Sequence, residues 1–249
     1  SARVAGRGYW SGVENHVELR PGVADSGIRF IREDLGGACV PVSLCNRIDA
    51  EKRTNLQVGE ARIEMVEHVL SALAAMGIDC CEIGLTAAEL PGLDGSADAY
   101  VAAIDRVGTE SLDGSVTNPL VVRSPLTISA TTGDAEIKVA PPTTMGLRVC
   151  YSVDYPGSPI PPQQYDVAVS PDSYRKDIAA ARTFLLEEEA RKLQAEGVGL
   201  TVQLKISSYS VRMGRLRTNC GGLMSVRDIK FWMLSVICSC LEGRFMVMS

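Results

Sequence analysis

The chain has 249 residues, 46% of them hydrophobic, and a formal net charge of −5. That is enough apolar material for one large domain or two small ones. No dense Lys/Arg cluster marks a nucleic-acid footprint, and no apolar run reaches the length needed to span a bilayer. Ser1-Ala-Arg-Val-Ala-Gly-Arg-Gly8 has no hydrophobic signal core, so a cytoplasmic location is expected, and the missing initiator Met points to a trimmed or incomplete N-terminus.

The eight cysteines (Cys39, Cys45, Cys80, Cys81, Cys150, Cys220, Cys238 and Cys240) include no Cys-x-x-Cys and follow no regular spacing. This argues against a zinc ribbon or a disulfide framework and suits reduced, small apolar side chains.

Asn15 to Leu19 alternates polar and apolar, then turns at Arg20-Pro21-Gly22. Gly27-Ile-Arg-Phe-Ile-Arg32 alternates again and reads as its antiparallel partner. Residues 62–79 follow as a helix, with Met65, Val69, Leu73 and Met76 at helical spacing and Gly77 as the stop. Cys80–Leu85 reads as a strand, Leu90–Gly95 as a turn, and Ser96 as the cap of a helix bearing Tyr100, Val101, Ile104 and Val107, closed by Gly108.

Polar residues 111–118 form a candidate linker. Strands resume at Leu120–Arg123, Leu126–Ser129, Ala135–Val139 and Leu147–Ser152. Ser170 opens a helix through Ile178 and Ala181, and a second helical run extends from Leu185 to Glu196. Strands followed by helices thus occur twice. The expectation is an α+β fold of two similar domains, 1–112 and 119–249, each a sheet layered with helices.

The helix at 62–79 carries the chemistry. His16 and His68 are the chain's two histidines, and Glu67 stands beside His68, about 100° away around a helix. A carboxylate beside an imidazole suits a metal ligand with a neighbouring general base. The same residues also fit a capped core helix with a hydrogen-bonded histidine at its rim.

Nine segments occur in order: Gly8-Tyr-Trp-Ser-Gly12, Leu19-Arg-Pro-Gly22, Gly27-Ile-Arg-Phe-Ile-Arg32, Arg53-Thr-Asn-Leu56, Val66-Glu-His68, Ala72-Leu-Ala-Ala-Met-Gly-Ile-Asp79, Glu89-Leu-Pro91, Asp94-Gly-Ser-Ala97 and Ala181-Arg-Thr-Phe184. Over about residues 1–200 the chain resembles the zinc-dependent UDP-3-O-acyl-N-acetylglucosamine deacetylases of lipid A synthesis. The resemblance implies two α+β domains with the site between them and a UDP-linked acylated amino sugar as substrate. It implies no nucleic acid and no obligate protein partner. His68 matches the first Zn2+ ligand, Glu67 the general base, Thr183 the hydroxyl that steadies the oxyanion, and Phe184 and Leu56 residues beside the substrate. Trp10 stands where many members carry His. Asp94-Gly-Ser-Ala97 reads mostly as a turn and cap.

The end of the chain departs from that pattern. The family supplies two further zinc ligands from a later His-Lys-x-Leu-Asp helix, but no histidine follows His68. Residues 201–249 hold seven basic side chains against Asp228 and Glu242, a net of +5, leaving −10 on the rest of a −5 chain. They contain no Ala or Pro but five of the eight methionines.

A reading-frame shift near residue 200 accounts for this break. Regrouping the possible codons of Asp228-Ile-Lys-Phe-Trp-Met-Leu by one base gives His or Tyr, Lys or Gln, Ile or Val, then an obligatory Leu and Asp. The expectation is a metal-poor, inactive chain whose residues after 200 pack poorly. A natural divergent terminus is the alternative. Other readings are a metal-free nucleotide-sugar binding protein and a metal site of His68 with Cys238 and Cys240.

Overall fold

The computed structural model describes residues 1–50, 53–113, 121–130, 135–154 and 162–182, together with residue 195. The fold is α+β. Its main sheet has five strands: β1 (Ala2–Arg7), β2 (Glu14–Pro21), β3 (Ile28–Arg32), β4 (Ala38–Pro41) and, later in the chain, β8 (Cys81–Leu85). The spatial order is β1-β2-β8-β3-β4, with β8 antiparallel to β2 and parallel to β3.

The expected pairing of β2 with β3 is therefore corrected, because β8 inserts between them. Two-residue alternation sends one side of every strand inward. Val17 lies opposite Leu85, Leu19 opposite Ile83, and Phe30 between Ile83 and Val40, all buried. The outward side carries ion pairs: Arg3 and Arg20 to Glu18, and Arg29 to Glu82.

A second sheet joins β5 (Arg47–Ile48), β6 (Asn55–Val58) and β7 (Ala61–Glu64). The helix read from residue 62 in fact begins later: α1 is Glu67–Ala75. Residues 61–64 form β7, and Met65 takes a left-handed turn at φ 61° between them. Leu70 and Leu73 of α1 are buried against the main sheet's inner side. The helix stops at Gly77 (φ 70°), whose left-handed conformation lets Ile78 N–H donate to Leu73 O.

Helix α2 (Asp98–Val107) packs beside α1, burying Tyr100, Val101 and Ile104. Its cap position is Ala97, one residue beyond the expected Ser96, whose Oγ nonetheless accepts from Asp98 N–H at 3.2 Å.

Strands β9 (Leu126–Ser129) and β10 (Glu136–Val139) form one two-stranded ladder; β11 (Arg148–Val153) and β12 (Gln163–Ala168) form another. Residues 121–123, expected within a strand, are outside any ladder. Ser170 caps a short α3 (Pro171–Ser173) through a reciprocal pair of bonds with Ser173. A π turn over Tyr174–Ile178 continues it, and Tyr174, Ile178 and Ala179 join the apolar core of residues 2–104. The expected linker at 111–118 falls largely outside the described residues, as do the helical run 185–196 (save residue 195) and all of 201–249.

Candidate active site

Glu67 and His68 are the first two residues of α1, and His68 is 3% exposed. Their approach is fixed by the start of β6. Thr54 N–H donates to Glu67 Oε2 at 3.1 Å, and Thr54 O accepts from Val66 N–H at 3.2 Å. Asn55 Oδ1 accepts from Met65 N–H at 3.3 Å.

Three consecutive residues, 65 to 67, are thus held by two neighbours at the entry to β6. A non-glycine residue in the left-handed region costs about 1–2 kcal/mol and persists only where the surroundings impose it. The bonds from Thr54 and Asn55 provide that constraint. Glu67 also sits in the first turn of α1, where the unpaired N–H groups favour a negative charge.

A second layer braces the helix from the far end of the chain. Ser71 Oγ lies 2.9 Å from His68 O and 2.8 Å from the Tyr174 hydroxyl. Burial raises the Tyr174 phenol far above its ordinary range, against the Ser71 bond. Tyr100 is fully buried, and burial with the Glu67 charge raises its phenol too.

Asp94 ties the other side. Its Oδ1 accepts from Ser96 N–H at 3.1 Å and Ser96 Oγ at 2.6 Å, while Oδ2 lies 3.1 Å from Arg182. Burial opposes its charge, but the Ser96 bonds and Arg182 hold its carboxyl below the usual range. Ala97 N–H donates to Ala179 O at 2.9 Å. These contacts dock residues 174–182 on α1 and α2. Thr183 and Phe184, the next two positions, lie outside the described residues.

The turn at 9–11 is built around Glu89, a buried carboxylate that accepts from Trp10 N–H at 2.8 Å and Ser11 N–H at 2.7 Å. Gly8 passes so close that a Cβ there would collide with that carboxylate. The turn lays the Trp10 ring over the Arg53 guanidinium, 4.6 Å from centroid to Cζ. Beside it, Tyr9 is pushed up to about 12 by burial, then Asp94, with Arg182 opposing.

Leu56 is 2% exposed in the apolar core, paired across the hairpin with Ile63. His16 is exposed on β2, 3.9 Å from Glu14 Oε1. Sequence reasoning missed Tyr174, Ser71 and Tyr100. Helical spacing marked Tyr100 as core, but no pattern joins Ser71 to a tyrosine 103 residues away. Glu89 and Arg53 lay inside quoted motifs without an assigned role.

The chain matches the family described as LpxC: UDP-3-O-acyl N-acetylglycosamine deacetylase over residues 1–209. It belongs to that family.

Among the curated relatives, the UDP-3-O-acyl-N-acetylglucosamine deacetylase of Anaeromyxobacter sp. (strain Fw109-5) is 35% identical over 193 residues, 78% of this chain and 62% of the relative. That of Syntrophus aciditrophicus (strain SB) is 32% identical over 199 residues, 80% and 62% respectively. That of Helicobacter pylori (strain J99 / ATCC 700824) is 31% identical over 198 residues, 80% and 65%. The chain thus matches somewhat less than two thirds of the length of each of these relatives.

A catalytic zinc needs about three protein ligands. Among the described residues no three His, Cys, Asp or Glu side chains converge on one point. The sequence offers no histidine besides His16 and His68. The donor set described here therefore does not fit a held zinc ion. Among the described residues, no helix is long and apolar enough to cross a membrane.

Proposed function

We propose that this chain carries the first ligand and the general base of a zinc-dependent deacetylase, and that as written it is metal-poor and inactive. The reaction is hydrolysis of the acetamide of a UDP-3-O-acyl-N-acetylglucosamine in the cytoplasm, giving the free amine and acetate for lipid A synthesis. The pair Glu67–His68, at the head of α1 and pinned from Thr54 and Asn55, carries this reading within a family match that ends at residue 209.

Glu67 has the position and chemistry of a base. Its carboxylate takes a proton from the water attacking the acetamide carbon and returns it to the nitrogen as the C–N bond breaks. Thr183 is assigned to the oxyanion, with Phe184 and Leu56 on the sugar side. Leu56 is buried in the core opposite Ile63, so its proposed part is to hold β6 in place beneath the sugar side without touching the sugar. Domains 1–112 and 119–249 are proposed to flank the cleft; the docking of residues 174–182 on α1 and α2 supports that arrangement.

The unmatched residues 210–249 and the regrouped codons support a shifted frame. Zinc per chain and acetate release are the test. The chain as written should hold far less than one zinc and release no acetate above background. Restoring the frame should recover both. In the restored protein His68→Ala should lose the metal, and Glu67→Ala should keep it while losing most of the rate. Stoichiometric zinc with turnover in the unrestored chain would refute the account of the tail. A metal-free protein that binds the nucleotide sugar without cleaving it, in restored form too, would favour the binding-protein reading.

A further inference from the structure

The entry to β6 carries polar atoms that nothing among the described residues engages. Arg53 Nε and Nη1, Thr54 Oγ1 and Asn55 Nδ2 are all buried without a hydrogen-bond partner. Asn55 is fully buried, and a buried donor left unpaired costs about 1–3 kcal/mol. Such a cost concentrated on three consecutive residues calls for a partner beyond the described residues.

Glu64 lies directly opposite Asn55 across the β6–β7 hairpin, and Arg53 reaches the same Glu64 from the bend two residues earlier, so both gather on this side of the hairpin. Glu64 Oε2 is 3.4 Å from Arg53 Nη2, so it does not serve the other two guanidinium nitrogens. Arg62 Nε lies 2.9 Å from Glu64 Oε1, close in distance but not aimed as a hydrogen bond. Trp10 covers the guanidinium from above.

We propose that Arg53 and Asn55, roofed by Trp10, form a subsite for a small carboxylate, with acetate as its ligand. The inference rests on the deacetylase reading, in which acetate is the released product. The free atoms on this side are donors, which call for an acceptor with more than one lone-pair oxygen. Glu64 beside Arg53 and Glu89 beneath the Trp10 turn disfavour a dianion such as phosphate. The subsite adjoins the base along the chain, since the next residue, Thr54, holds Glu67 through its N–H.

The test uses Trp10 as reporter. The chain has two tryptophans, so Trp232→Phe leaves Trp10 alone. Titrating sodium acetate against sodium chloride at constant pH and ionic strength should give a saturable change in Trp10 emission and a matching rise in Tm. Arg53→Gln and Asn55→Asp should each weaken acetate at least tenfold, whereas Arg20→Gln on the outer side of the main sheet should change nothing. Asn55→Asp keeps the acceptor for Met65 N–H, so it carries the test alone if Arg53→Gln fails to fold.

A linear response, an equal response to chloride, saturation by phosphate but not acetate, or indifference to both variants would overturn the proposal. No metal or turnover is needed, so an inactive chain that binds acetate keeps the subsite. A frame-restored enzyme that turns over without saturable acetate binding keeps the deacetylase reading and loses the subsite.

Discussion

Residues 1–107 and residues 121–169 are built on different terms. The first stretch buries one face of a five-stranded sheet under two helices, and almost every inward side chain between Ala2 and Ile104 joins one apolar cluster. The second consists of two separate ladders in which, among the described residues, Val149 is the one buried apolar side chain. An isolated two-stranded ladder is marginal in water. The proposed base and first ligand, Glu67 and His68, therefore stand on a region that can hold itself together. Strands β11 and β12 lean on that core through the half-buried Tyr151, Tyr165 and Val167, and Tyr174, Ile178 and Ala179 join it outright, whereas among the described residues β9 and β10 add nothing to it.

The widest gap between the two regions should be in core truncation. Leu73→Ala, at a fully buried position, should cost about 2–5 kcal/mol in urea unfolding, while Ile137→Ala on half-buried β10 should cost under about 1 kcal/mol. Equal losses would show that β9 and β10 are packed as firmly as the main sheet.

The brace between the regions is next. Tyr174→Phe removes the hydroxyl that meets Ser71 and should cost about 1 kcal/mol. A double-mutant cycle with Ser71→Ala should show coupling; strict additivity would mean that the two hydroxyls act independently.

The smallest effect belongs to exposed charges. Hydrogen bonds from Arg20, Arg3 and Ser1 pull the Glu18 carboxyl down to about 2. A carboxyl depressed on folding stabilises above its unfolded value of 4.5, and the contribution fades as pH falls towards about 2. Carboxyl NMR titration should place Glu18 near that lower value, and added salt should raise it. On the second region, Arg148 lowers Asp166 in the same sense, likewise in the open. A Glu18 midpoint near 4.5 in low salt would dissolve the ladder.

Much of the first region was legible in the sequence. Alternation marked β2, β3 and β8 because each has one wet and one dry side. The order of those strands was not legible: β8 enters between β2 and β3 from some fifty residues downstream of β3, and pairing at that distance leaves no local trace. Strand β1 escaped because Ala-Arg-Val-Ala-Gly-Arg offers few branched residues. The false helical start arose at Met65, whose spacing with Val69 and Leu73 imitates a helix. Its left-handed φ is imposed by Asn55 and Thr54 and is not a preference of methionine. Glu67 and His68 could be read as a pair. Their anchorage to β6 could not, since Thr54 acts through its backbone, which has no sequence signature.

The Glu89 carboxylate fills the space that a Cβ at position 8 would need. In genetic terms, positions 8 and 89 are epistatic. Any gain of side chain at 8 requires a smaller residue at 89, and a smaller residue there strips the Trp10 and Ser11 amides of their acceptor. Neither change is an acceptable first step for the other, so a random substitution library should return glycine at 8 and glutamate at 89 together or not at all.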